Sequence, residues 1–315
     1  MPLLQPIAGR AHYIPGSNNL GVIATGDGGA IAIDTGLDKD TGRLIRKALD
    51  EARLTLRAII STHHHADHIG GNDYLVRNVP GVEVYAPRLE AALIEHPVLE
   101  PIYLNMGAQP LAALQTKWLM AKGTPVHHVV DGERLEIAGL TLEVIALPGH
   151  SVNQIGLAVD GVCFAADGFF GPAILQKHGV PYAHDVGAQL AGLGRLAARG
   201  DLYFLPGHGD LTARDGLEEI LAANQAAIER SSDLVRAALA ERGDLFAVAR
   251  RVARALGLAL PSIPQYAIFA SAVAAHLTYI EGRGLARVTL EDEGMIWQPL
   301  SDQGSGVRGQ GSGVR

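Results

Sequence analysis

Between Thr62 and Ile69 the chain carries His63, His65, Asp67 and His68, four metal-ligating side chains in six positions. Imidazole nitrogens with one carboxylate suit a borderline divalent cation such as zinc. The run follows an apolar, β-rich stretch at 56–61. Alternate positions at the end of that strand direct His63 and His65 the same way, and turn His64 to pack or hydrogen-bond behind them. Asp67-His68 falls where the chain turns to open a helix, and faces a second ion. A chance histidine cluster on a polar loop is the bland alternative. It loses ground because three remote residues share one context.

His150 sits in Leu-Pro-Gly-His-Ser, Asp167 in Ala-Ala-Asp-Gly and His208 in Leu-Pro-Gly-His-Gly, each just after an apolar β stretch and beside glycine, which permits sharp turns. Any one of them alone is a weak signal. Together with the first four they give two ions three private ligands each and one shared carboxylate.

The intervening sequence is α/β. Strands are expected at 12–14, 19–24 and 30–34, the last two joined by an Asp-Gly turn at 27–28. An amphipathic helix follows at 41–52, then the strand that leads into the histidines. This order places chemistry at a strand's C-terminal end, a usual location in such folds. Residues 87–123 read as a helical excursion able to cover the site or join two subunits, with ordinary packing helices as the equal alternative. A second set of strands (135–137, 141–146, 155–159, 162–166, 202–205) with a helix at 186–198 repeats the logic of the first, which points to two sheets packed face to face with helices outside. Beyond 216, three helices (217–240, 245–256, 264–281) and a short hairpin have the order of a winged-helix module. The expected organisation is a catalytic domain over 1–215, a C-terminal module over 216–300, and a disordered Gly-Ser-rich tail over 301–315.

These seven residues resemble the ligand set of the metallo-β-lactamase superfamily, whose hydrolases include glyoxalase II, lactonases and RNase Z-type nucleases. The resemblance spans about 7–210 and implies a four-layer αββα sandwich with the metals at one edge. It implies that His63, His65 and His150 hold one ion, that Asp67, His68 and His208 hold the other, and that Asp167 bridges them. Asp34, in Ile-Asp-Thr-Gly, matches the early aspartate of that family and would orient ligands, while Asp67 would also relay a proton. The stretch at 63–72 is most similar to the glyoxalase II-like branch. The function it implies is attack by a metal-bridging hydroxide on a thioester or other carboxylic ester. The alternatives are a phosphodiesterase or ribonuclease that uses the C-terminal module, with Arg250, Arg251 and Arg254 as its basic face, and a lactonase. Two Zn2+ ions are the expected cofactors, with iron or manganese compatible with the same ligands.

His178, Tyr182 and His184 follow the bridging position on a loop suited to touch substrate, with ordinary loop packing as the equal alternative. A net charge of −7 argues against bulk tracking of a nucleic-acid backbone. The single cysteine, Cys163, excludes an internal disulfide and reads as a small buried hydrophobe. No apolar run is long enough to span a bilayer, and the N-terminus lacks the pattern of a signal peptide. The expectation is a cytoplasmic enzyme with a small-molecule substrate and no membrane partner, and with a homodimer as one quaternary arrangement.

Overall fold

In the strand β4 (Gly29–Ile33) Ile31 and Ile33 face one way and Ala30 and Ala32 the other, and all are buried. A strand covered on both faces needs a layer on each side, and the rest of the chain supplies them. The structure, a computed structural model, describes residues 2–292 and 294–300, without the side chain of His178; the tail at 301–315 lies outside the described residues.

Strands β1 (Gln5–Ala8), β2 (Ala11–Ile14), β3 (Leu20–Ala24), β4, β5 (Thr55–Ile60), β6 (Glu83–Pro87) and β7 (His128–Val130) form one sheet in chain order. Pairing is antiparallel up to β4 and parallel from β4 to β7. The second sheet contains β8 (Arg134–Ile137), β9 (Leu140–Ala146), β10 (Ile155–Val159), β11 (Val162–Ala166), β12 (Tyr203–Pro206) and β13 (Thr212–Ala213), again neighbours in chain order. A register shift in the β4–β5 ladder changes the parity of β5, so that Leu56 and Ile59 face outward while Ala58 and Ile60 face the other sheet.

The two sheets meet over a core that includes Ile31, Ile60, Leu142, Leu157 and Phe164. Helices α1 (Lys39–Ala52) and α3 (Asn72–Asn78) cover the outer face of the first sheet, and α7 (Val186–Ala197) and α8 (Arg214–Ala238) that of the second. The result is the expected αββα sandwich. One-turn α2 (Ala66–Ile69) and short α6 (Pro172–His178) sit in the site loops. The excursion between β6 and β7 contains α4 (Arg88–Glu95) and α5 (Leu99–Leu104), and packs through α5 against the C-terminal helix at 263–282. Helices α9 (Leu245–Ala255) and α10 (Ile263–Gly282) and the hairpin β14 (Ala286–Glu291)–β15 (Gly294–Pro299) share their own core with the end of α8.

β1, β6 and β7 are not among the expected strands: polar or proline residues (Gln5 and Pro6, Glu83 and Pro87, His128) interrupt their apolar residues. Leu217, Leu221 and Ile228 of α8 belong to the core on the second sheet, so apolar packing runs through the position where a boundary at 215 was expected. Among the described residues no helix is long and apolar enough to cross a membrane. Cys163 is fully buried, as expected of a small hydrophobe, and burial pushes its thiol far up from its ordinary value.

Phe164 is 2% exposed, and a Cβ at Gly21 would come within 2.7 Å of its ring, so the two sheets are in close contact there. Phe164→Ala should lower the unfolding free energy by about 3–5 kcal/mol, measured by denaturant titration; a loss below about 1 kcal/mol would show that the sheets do not depend on this contact.

Candidate metal centre

All the candidate ligands leave the sheets at one edge. Asp34 follows β4, residues 63–68 follow β5, and His150, Asp167 and His208 come shortly after β9, β11 and β12. One expectation needs correction: His63 and His65 are not on the strand. β5 ends at Ile60: the Ser61 N–H still donates to Tyr85 O of the neighbouring β6 at 2.9 Å, but the Thr62 N–H leaves the ladder and donates to Asp34 Oδ1 at 2.8 Å. The two imidazoles nevertheless converge, with ring centroids 4.7 Å apart, while His64 turns away to donate from Nδ1 to Glu90.

On His63, His68, His150 and His208 a hydrogen bond on the outer side of the ring leaves an inward lone pair. Thr62 donates its hydroxyl to Asp34 Oδ2 at 2.8 Å, so its oxygen accepts from His63 Nδ1 at 3.0 Å. That leaves His63 Nε2 buried with no hydrogen-bond partner. His68 Nδ1 donates to Asp34 Oδ2 at 2.8 Å, His150 Nδ1 to Tyr182 O at 3.1 Å and His208 Nδ1 to Ser17 O at 2.7 Å. His65 Nδ1 lies 2.9 Å from His150 Nε2.

Two ligand groups result. In each of His63–His65–His150 and Asp67–His68–His208 the donor atoms lie within 4.8 Å of one another. Asp167 stands between them: Oδ2 is 3.2 Å from His150 Nε2 and 3.6 Å from His208 Nε2, and Oδ1 is 3.4 Å from His68 Nε2. Among the described residues Asp167 Oδ1 is likewise buried without a hydrogen-bond partner. Such orphaned, converging donors in an imidazole and carboxylate set fit two divalent cations.

The electrostatics favour the same occupant. Burial works against ionised Asp167, but His208, His68 and His150 outweigh it and hold the carboxyl well below the usual range. Burial also disfavours a charge on His68, yet Asp167 and Asp34 overcome it and lift its proton affinity well above normal. A position that holds a proton so tightly is one where a metal cation would also be stabilised. Burial and the neighbouring imidazoles keep His63 neutral and ready to act as a ligand.

Two glycines are required by space and backbone. A Cβ at Gly207 would fall 2.2 Å from Asp167 Oδ1 and 2.8 Å from His68 Cε1; this glycine makes room for the site, whereas the sequence suggested a turn. Gly149 has φ +136°, and a Cβ there would strike the Gln189 backbone at 2.4 Å, so α7 fixes the His150 loop. Asp34 adopts φ 58°, an uncommon conformation for a non-glycine residue, held by the three hydrogen bonds its carboxylate accepts.

The residues expected to touch substrate separate. The Tyr182 ring packs edge-on at 5.6 Å from both His65 and His150. The His184 side chain is exposed, and its backbone N–H holds Gly149 O at 2.7 Å. His178 ends α6, and its side chain lies outside the described residues. The expected basic face shrinks to Arg250 and Arg254, because Arg251 donates to the carbonyls of Ala238, Glu241 and Arg242 at the end of α8. His276 is buried and bonded to Ser232 at 2.9 Å.

Several residues at the site went unnoticed in the sequence. Asn18 donates to Asp67 Oδ2 at 3.1 Å. Glu90 holds His64 from behind, and Phe170 packs against His150 with centroids 5.5 Å apart. The Tyr103 hydroxyl on α5 is 3.3 Å from His64 Nε2, and burial pushes the nearby Glu100 carboxyl up to about 7 against the pull of His64. The available signal was a glutamate on the apolar stripe of α4, beside Ala91 and Ile94.

A model of the metallo-beta-lactamase superfamily matches residues 13–208. A hydroxyacylglutathione hydrolase 2 of Vibrio vulnificus is 33% identical over 134 residues, 42% of this chain and 41% of that protein. A hydroxyacylglutathione hydrolase of Methylobacillus flagellatus is 31% identical over 146 residues, 46% of this chain and 44% of that protein. The chain thus spans less than half the length of these relatives. Among solved structures, a beta-lactamase domain protein from Burkholderia ambifaria superposes with a TM-score of 0.71 over 94% of this chain and 93% of its own, at 18% identity. A metallo-beta-lactamase family protein from Thermus thermophilus gives 0.67 over 95% and 97%, at 20% identity. At such identities the likeness concerns the fold.

Gly207→Ala should leave the fold intact and weaken metal uptake at least about tenfold, the scale of disturbing a ligand's support. Zinc titration beside circular dichroism checks this; wild-type zinc affinity in the folded variant would contradict the crowding at Asp167.

Proposed function

The chain belongs to the metallo-beta-lactamase superfamily, and we propose that it is a hydrolase using two divalent cations, zinc by preference, to cleave a thioester or other carboxylic ester. The observation that carries this reading is the pair of three-residue ligand groups with Asp167 between them. The name shared by the Vibrio and Methylobacillus relatives supports a thioester as the substrate class.

His63, His65 and His150 would hold one ion and Asp67, His68 and His208 the other, with Asp167 common to both. Bound there, divalent cations supply the Lewis acidity that makes water a nucleophile near neutral pH and polarises the scissile carbonyl. Asp67 is the most open of the carboxylates, its side chain 35% exposed, and Oδ2 is steadied by Asn18 at 3.1 Å. It is placed to accept the proton that the attacking water gives up. Asp34 keeps His68 in one tautomer and orientation through its 2.8 Å bond. Phe170 and Tyr182 form an apolar wall against His150 that suits the acyl side of a small substrate.

The net charge of −7 and the engagement of Arg251 with the end of α8 argue against a basic groove for a nucleic acid. Asp67→Ala should lower kcat/KM for a simple thioester by about 10²–10⁴-fold, and a chelator should abolish the wild-type rate with zinc restoring it. Cleavage of a phosphodiester but not a thioester by the same preparation, again lost in Asp67→Ala, would overturn the ester reading.

A further inference from the structure

Glu90 lies on the buried face of α4 beside Ala91 and Ile94, at 0% exposure. Its two oxygens divide their work. Oε2 accepts from the His64 backbone N–H at 3.0 Å and from His64 Nδ1 at 2.5 Å. Oε1 accepts from Ser151 Oγ at 2.7 Å and from the Asn153 N–H at 2.7 Å. One oxygen therefore holds the loop after β5 and the other holds the loop after β9. A second tie runs beside it, since the Leu89 N–H donates to Asn153 Oδ1 at 3.3 Å.

The residues gripped are the chain neighbours of three candidate ligands. His64 stands between His63 and His65, and Ser151 follows His150. No hydrogen bond among the described residues links Glu90 to Asp67, His68 or His208. That group is held from the opposite side, by Asp34 on His68 and by Ser17 O on His208. A buried carboxylate is tolerated only when its lone pairs are met, and here every donor comes from one of the two loops that must stay in register. A single apolar residue at this position would hold neither.

We propose that Glu90 is a positioning residue that clasps these two loops together and so sets the geometry of the His63–His65–His150 group alone. The proposal rests on reading the site as a two-cation centre. Its consequence is asymmetry: loosening the clasp weakens one ion and spares the other. Glu90→Gln is the informative change, because it preserves volume but replaces one acceptor oxygen with an NH2 group that faces donors.

The test is titration of the metal-stripped chain with zinc alone, in competition with a chromophoric chelator, for wild type and Glu90→Gln, with melting of the metal-free proteins as a separate reading of folding. The expected result is one zinc weakened about 10–100-fold and the other bound as in wild type. Both ions held at wild-type affinity, or both weakened alike, overturns the clasp. If Glu90→Gln does not fold, Ser151→Ala takes its place: it removes one donor, keeps the carboxylate, and should weaken the same single ion to a smaller degree. A wild-type chain that takes up no zinc overturns the two-cation reading itself, whereas two ions in wild type beside an unchanged variant overturns the clasp only.

Discussion

Asp167 and Asp34 are carboxylates at 3% and 4% exposure, and an interior accepts such charge only when cations and hydrogen bonds answer it. For Asp34 the answer is complete, with Thr62 and His68 filling its lone pairs. For Asp167 it is not, because Oδ1 has no hydrogen-bond partner and three imidazole nitrogens stand at 3.2–3.6 Å around the group. Much of the architecture at this edge follows from that unfinished compensation. Five histidines converge there, Gly207 leaves the space, and on four of them the outer ring nitrogen is committed so that an inner lone pair remains.

The sandwich provides the rigidity this requires. Parallel pairing of β4 with β5 and of β11 with β12 brings four strand ends to one edge. Non-glycine residues in the left-handed region, Asp34 at φ 58° and Ala166 at φ 48°, occur just where two of those strands deliver a site carboxylate. Each such residue costs on the order of 1–3 kcal/mol and persists because its surroundings fix it. The helical excursion contributes from the other side: α4 sends Glu90 into the gap between two ligand loops, and α5 brings the Tyr103 hydroxyl to His64. The excursion, which the sequence left open between a lid, an interface and ordinary packing, buttresses the site through these contacts.

Much of this was legible in the chain. The apolar runs at 30–34 and 162–166 gave strands, and the spacing of 63, 65, 67 and 68 with three glycine-flanked single residues gave the converging set. What escaped had no local pattern. Asn18 and Glu90 act on residues 49 and 61 positions away, so only the folded chain shows their partners. β7 has three residues, one of them His128, so no apolar run marks it. The apolar run reaches 60 and so suggests a strand that leads into the histidines, and nothing in the sequence reveals that Asp34 captures the Thr62 N–H. For His184, residue type suggested chemistry while the fold uses the backbone.

The central claim is that one buried carboxylate serves two cations. Calorimetric titration of the metal-stripped chain with zinc, wild type beside Asp167→Ala, addresses it directly. The account predicts two tight equivalents in the wild type and weakening of both in the variant. A single equivalent in the wild type, or an Asp167→Ala chain that keeps two tight ions, would contradict it.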